Sequence, residues 1–230
     1  MRGRSWEALQ ETCYYPIDLL QRPAIIEVVR MGASGRERAR IRVEAYTYGS
    51  EDVDIGDIPQ AHPSPEDLRR NAREQGSIAR IWSRKEGPAR FTLPLGPPAN
   101  PLPPPKTFGW SRSFNGKPSS QPHMGADYAL TTGTPILAVA DGTVVLAEDL
   151  FYPGNAVFID HGNGLFTMYF HLSELAVASG QEVKKGQKIG LAGATGRATG
   201  PHLFFGVRWH KARVDPQPLL EDPAKIPAIE

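Results

Sequence analysis

The chain is poor in the features that most often announce a function. It has a single cysteine, Cys13, in 230 residues, which excludes an internal disulfide framework and any metal centre built on several thiolates. Neither sign of charge dominates: 26 Lys and Arg against 25 Asp and Glu give a formal net charge of +1. With no run of basic residues, the electrostatic footprint of a nucleic-acid binder is missing, and no basic stripe is indicated. No segment approaches the roughly 20 apolar residues that cross a bilayer. The opening residues, MRGRSWEALQETCYYPIDLL, carry early arginines but no apolar core of roughly 7–15 residues, so no secretory signal is visible. Any metal must be held by histidine and carboxylate.

Turn-forming residues are what the chain has in quantity. Its 23 glycines and 22 prolines imply many short elements and a mainly β protein. AIIEVVRM and RARIRVEAYTY are rich in β-branched residues, the second alternating Ile41, Val43 and Ala45 with charged neighbours, and GASGRE between them supplies a turn. Residues 1–62 therefore form an N-terminal β segment containing a hairpin. Two strands alone are marginal in water, so this hairpin is expected to lean on other structure or to belong to a partial sandwich. Residues 63–86 are helical in pattern. Ser64 can cap, Pro65 suits the first position, Glu66 and Asp67 suit the positive helix end, and Leu68, Ala72, Ile78, Ile81 and Trp82 can share one apolar stripe. The run LGPPANPLPPP marks 87–106 as an extended linker. From 107 to 220, PILAVA, TVVLAED, NAVFID and LFTMYFHL, separated by turn signals, predict consecutive antiparallel hairpins, with 221–230 left as a tail.

Three polar clusters stand out in this second half: HMGAD with His123 and Asp127, MYFHLS with His171, and GPHLFFGVRWH with His202. Imidazole and carboxylate are zinc donors, and a catalytic zinc takes three protein ligands and leaves one position for water. Such an ion brings the pKa of its water toward neutrality, and histidines beyond the ligands move protons or stabilise an oxyanion. Each cluster by itself reads more readily as an ordinary exposed or hydrogen-bonded strand-end histidine than as a metal ligand; their order and surroundings distinguish them.

The run FGWSRSFNG…PHMGADYALTTGTPILAVADGTVVLAED…GNAVFIDHGNGLFTMYFHLSEL…VKKGQKIGLAGATGRATGPHLFFGVRWH…VDP, from about Phe108 to Pro216, resembles the lysostaphin-type zinc metallopeptidases, which cut peptide cross-links of bacterial peptidoglycan. The resemblance implies a twisted antiparallel sheet with zinc in a groove. It implies that His123 and Asp127 bind the metal, and that His171 and His202 assist catalysis around the zinc-bound water. Asn115, Tyr128 and Tyr169 are candidate groove residues. The partners implied are peptidoglycan peptides, and the implied location is periplasmic or extracellular, which favours an incomplete start over a cytosolic protein.

One position departs from the family pattern. The second histidine of its HxH motif, the third zinc ligand, is Phe204 here, and a phenyl ring donates no lone pair. Zinc occupancy and cleavage are therefore open, and three readings compete. In the first, the chain is still a metalloendopeptidase, the site completed by substrate or by a neighbour such as His161 or His210. In the second, it is an inactive peptidoglycan-binding homologue that regulates a partner wall hydrolase. In the third, VKKGQKIG marks a lipoyl- or phosphocarrier-like β domain. The remaining residues have plain readings: His161 a hairpin-turn residue, His62 exposed, Trp209 space-filling or groove-lining, Cys13 a spectator, Asp160 and Glu148 strand-end charges.

Overall fold

The computed structural model describes residues 7–33 and 35–227; the arginine-bearing start, Ser34 of the GASGRE turn and the last three residues of the tail lie outside the described residues. Strands β1 (Ala24–Gly32) and β2 (Gly35–Val43) pair antiparallel as expected. They form a sheet of their own. A partial sandwich over 1–62 is not present among the described residues. The chain leaves β2 before Ala45, and the next strand, β3 (Ser50–Val53), is taken up by β4 (Ser111–Phe114), which it pairs in parallel and which turns back into β5 (Lys117–Pro118).

Helix α1 (Pro65–Ile81) begins where its local chemistry dictates. The Ser64 hydroxyl accepts from the Asp67 N–H, and the Asp67 carboxylate accepts from the Ser64 N–H at 2.9 Å. This reciprocal cap satisfies two otherwise orphaned donors, a cap being worth about 1 kcal/mol. The apolar stripe is shorter than expected: Ile78, Ile81 and Trp82 pack inward, whereas Leu68 is 51% exposed. Polar contacts anchor the first half instead. Glu74 accepts from the Phe151 N–H at 3.0 Å, and Arg70 donates to the Asp149 carbonyl at 2.7 Å.

The proline-rich run is extended but is not a free linker. Phe91, Leu95 and Ala99 are buried in the main core. The N–H groups of Arg90, Leu95 and Gly96 donate to the carbonyls of His161, Leu219 and Val139. Prolines leave few backbone donors to satisfy, so an extended strap can lie on a sheet without orphaned groups.

The rest of the chain forms β6 (Ala126–Tyr128), β7 (Pro135–Leu137), β8 (Gly142–Leu150), β9 (Gly154–Asp160), β10 (Leu165–Leu172), β11 (Glu174–Leu175), β12 (Glu182–Val183), β13 (Lys188–Leu191), β14 (Leu203–Trp209) and β15 (Ala212–Val214), then a short α2 (Gln217–Leu220). Seven of these make one antiparallel sheet in the order β12-β8-β9-β10-β14-β15, with β6 on the first half of β14; β11, β13 and β7 make a smaller one. Both faces of the large sheet are buried, which is why LFTMYFHL and LFFGVRW are almost continuously apolar. On one face Tyr128, Val157, Ile159, Tyr169, Leu203 and Phe205 enter the main core beneath the strap. On the other, Phe158, Phe166, Met168, Phe170 and Phe204 meet Ile78, Ile81 and Trp82 of α1.

Candidate functional site

Strand register brings the sequence-predicted residues to one end of the large sheet. Phe204 on β14 lies opposite Asp127 on β6, and also opposite Phe170 on β10. His202 enters β14 through a bridge to Gly193. His123, just before β6, is fixed by the Gly109 N–H to His123 carbonyl bond at 2.8 Å and its own N–H to the Trp110 carbonyl at 2.9 Å. His171 arrives by a local irregularity. The pairing of β10 with β9 shifts register between Tyr169 and Leu172, and His171 has φ +63°. In an unbroken strand it would share the buried face of Tyr169; the bulge re-aims it. A left-handed conformation at a non-glycine residue costs of order 1–3 kcal/mol, and it persists here because both flanks are held by pairing.

The result is a compact group. His123 Nε2 lies 3.3 Å and His202 Nε2 3.8 Å from Asp127 Oδ1, and the His171 and His202 ring centroids are 4.6 Å apart. Each of the three histidines has Nδ1 against a backbone carbonyl: Thr107 at 3.1 Å, Thr195 at 2.8 Å and Gly200 at 2.8 Å respectively for His123, His171 and His202. A carbonyl only accepts, so in His171 and His202 the contacts assign a proton to Nδ1, whereas His123 has acceptors at both ring nitrogens, the Thr107 carbonyl at Nδ1 and the Asp127 carboxylate at Nε2. Burial, then the neighbouring His202, pull the His171 imidazole down to about 4, so it is neutral near pH 7.

Asp127 is charged despite its burial. Desolvation favours its neutral form, but the adjoining His123, Arg112 and His202 outweigh that and hold the carboxyl well below its usual range. Its two oxygens differ. Oδ2 accepts from Arg112 Nη2 at 2.7 Å and Thr107 Oγ1 at 3.2 Å, whereas the buried Oδ1 has no hydrogen-bond donor. Arg112 is itself mostly buried, donates to Thr107 Oγ1 at 2.9 Å and pairs with Glu51 of β3. Glu51, Arg112, Thr107 and Asp127 thus form a continuous polar chain from the small parallel pair to the site.

Phe204 fills the remaining side. Its ring stacks on Phe170 with centroids 4.5 Å apart and planes at 4°, and meets the His123 ring edge-on at 5.1 Å. The ring lies so close to Gly125 that a Cβ there would sit 2.5 Å from its Cζ, which explains the glycine of HMGAD. The donor set around Asp127 Oδ1 therefore does not fit a catalytic zinc. An apolar ring lies beside His123 and Asp127, and among the described residues no three His, Cys, Asp or Glu side chains are arranged to hold a metal ion.

Several candidates fall elsewhere. Asn115 bonds the Ile55 N–H and the Gly56 carbonyl and stabilises a turn with φ +49°, so its side chain is engaged away from the histidines. Tyr128 and Tyr169 are 0% exposed and belong to the main core, not to a groove surface. Trp209 is likewise a core residue, its indole N–H bonded to the Asn163 carbonyl at 3.0 Å. His161 is no exposed turn residue: fully buried, it bridges the Asp141 carbonyl at 2.7 Å and Thr167 Oγ1 at 2.8 Å, on the opposite face from Phe204. His210 is buried beside Glu86. Arg112 and Thr107 are the site residues that sequence reasoning passes over.

Comparison with known proteins bears on the fold and the family. The model of peptidase family M23 matches residues 121–216. A crystal structure assigned to peptidase M23 from Pseudomonas aeruginosa superposes with a TM-score of 0.68 at 35% identity, covering 89% of this chain and 76% of that one. A zinc-containing peptidase from Vibrio cholerae matches with a TM-score of 0.51 and 35% identity over 58% of this chain and 40% of its own. Peptidoglycan DD-endopeptidase ShyA of Vibrio cholerae is 51% identical over 84 residues, 36% of this chain; the match spans only 20% of ShyA. Sharing sequence over its C-terminal sheet and fold over nearly its whole length, this chain belongs to peptidase family M23.

Proposed function

We propose that this chain acts at the peptide cross-links of bacterial peptidoglycan, outside the cytoplasmic membrane, as a binding member of its family in which metal-dependent cleavage has been disabled. The observation that carries the reading is the Phe204 ring, stacked on Phe170 and edge-on to His123, at the position that the family resemblance gives to the third zinc donor. The paired state of Asp127 supports it. Arg112 already sets a cation against one oxygen of that carboxylate, so Asp127 has a partner without a metal. In this reading His123 and Asp127 are the remaining donors of a zinc site, too few for the family's hydrolytic chemistry. His171 keeps a neutral ring whose Nε2 accepts a hydrogen bond from a peptide N–H group, and His202 stands beside it. The endopeptidase names of relatives such as ShyA support the choice of ligand, and a partner wall hydrolase is the natural recipient of such a binding function.

Sedimentation with purified sacculi, followed by chromatography of released muropeptides, tests this. The expected result is retention on sacculi, zinc well below one ion per chain, and no loss of cross-linked muropeptides. Chelator-sensitive cleavage of cross-links, with zinc bound one to one, would overturn it in favour of an active endopeptidase.

A further inference from the structure

The β1–β2 hairpin has one face with a composition unlike the rest of the chain. Period-two alternation places Ala24, Ile26, Val28, Ala39, Ile41 and Val43 on one side, where most are half-buried. The other side carries Arg36, Arg38, Arg40 and Arg42, each opposite a residue of β1: Met31, Val29, Glu27 and Ile25 in turn. All eight are exposed, with Ile25 at 62%, Val29 at 50% and Met31 at 69%. Four guanidinium groups face a single carboxylate, and only Arg40 is paired with it, at 3.3 Å. Among the described residues no ion pair is formed by Arg36, Arg38 or Arg42. In a chain of net charge +1 this is a strong local concentration of positive charge.

We propose that this face docks on a membrane surface rich in anionic phospholipid. Charge alone would suit any polyanion, but the three apolar side chains distinguish the occupants. A soluble phosphate polymer offers no phase for Ile25, Val29 and Met31, whereas a bilayer interface receives apolar side chains just below the headgroups that the arginines contact. The arginine stems lie alongside them, so the face is apolar near the backbone and cationic at its rim. A nine-residue ribbon spans roughly 30 Å, so it can lie flat across many headgroups. The hairpin forms its own sheet, leaving this face free of the fold.

Flotation of the full chain with vesicles tests the proposal. Wild-type protein is expected to float with vesicles of phosphatidylcholine and phosphatidylglycerol in equal parts, not with phosphatidylcholine alone, and to be released by added salt. Each arginine near an anionic surface strengthens binding about fivefold, so replacing Arg36, Arg38 and Arg42 by Gln should weaken it on the order of a hundredfold. Replacing Val29 and Met31 by Ser should weaken vesicle binding severalfold and leave binding to soluble polyphosphate unchanged. All five side chains are exposed, so an unaltered thermal transition is expected of both variants. Failure of the wild type to float, equal binding to both vesicle types, or vesicle binding indifferent to the Ser replacements would overturn the proposal, the last in favour of a soluble polyanion.

Discussion

Replacing Phe204 by His is the most informative single perturbation. The backbone is already in register: position 204 lies opposite Asp127, and its side chain abuts the His123 ring. The substitution removes the stack on Phe170, an interaction worth about 0.5–1.5 kcal/mol beyond area burial. It also puts a polar ring where the phenyl was 8% exposed, at a cost of about 1–3 kcal/mol while its nitrogen has no partner. The metal-free variant should therefore be less stable by about 2–4 kcal/mol, which for a chain of this size lowers the thermal midpoint by roughly 4–16 °C. Zinc reverses the sign. Losing even an outer-shell partner typically costs about 10–100-fold in metal affinity, so gaining a direct ligand should raise affinity by more than about 100-fold, or about 2.7 kcal/mol.

Scanning calorimetry of both proteins, in chelator and then in excess zinc, separates these effects. The wild-type transition should be indifferent to zinc; the variant should start lower and rise with metal concentration. A wild-type transition that rises with zinc as steeply as the variant's would refute the claim that Phe204 removes the site. A variant that folds, loses stability and still ignores zinc would show that the other donors are not arranged to receive it.

Three further outcomes follow from the same contacts. Arg112→Met leaves Asp127 buried beside no fixed cation, and breaking such a pair should destabilise the fold by about 3–5 kcal/mol in urea titrations at neutral pH; a loss within error of zero would show that Arg112 does not neutralise the carboxylate. His161 is fully buried, and desolvation brings its imidazole from 6.5 to about 4. The unfolded chain then binds more protons below pH 6.5, so stability should fall as pH drops through that value, by about 2 kcal/mol at pH 5 from this residue, with His171 adding in the same direction; equal stability at pH 7.5 and 5 would contradict it. Trp82→Ala removes the ring that packs on Phe158 and Phe166 and lies under Arg208. It should cost about 3 kcal/mol and speed hydrogen exchange in α1 ahead of the sheet, whereas exchange rising uniformly would place the helix within the main cooperative unit.

Legibility in the sequence tracked the range of the interaction. The Ser64–Asp67 cap and the hairpins were readable because each depends on residues a few positions apart. Tyr169 lies in the core whereas His171 reaches the site because a bulge between Tyr169 and Leu172 breaks the strand's parity, and nothing in MYFHL marks it. Tyr128 was avoidable, since the residue after Asp127 in a strand must face the other way. The strap was read as a linker because prolines report an extended backbone and say nothing about what it lies on. Arg112 had no local signal: its partners Asp127 and Glu51 are 15 and 61 residues away. The arginine stripe had one. Counting Ile41 and Val43 on one side of β2 left Arg36, Arg38, Arg40 and Arg42 on the other, and net charge over the whole chain concealed them.

Phe204 sits stably beside the histidines because its neighbours accommodate it at every contact. An apolar ring beside a buried carboxylate raises the cost of that charge unless the charge is paired and the ring is well packed. The structure answers each part of that problem with a different residue. Arg112 supplies the charge on Oδ2, Phe170 offers a parallel apolar face across the strand pair, and the missing side chain of Gly125 leaves room for the ring edge. A smaller apolar residue would leave a cavity against His123, and a polar one would need a partner that only a metal or water could provide. Phenylalanine packs this side while His123, His171 and His202 each keep Nδ1 against a backbone carbonyl, so under the proposed reading the scaffold that orients the histidines is kept.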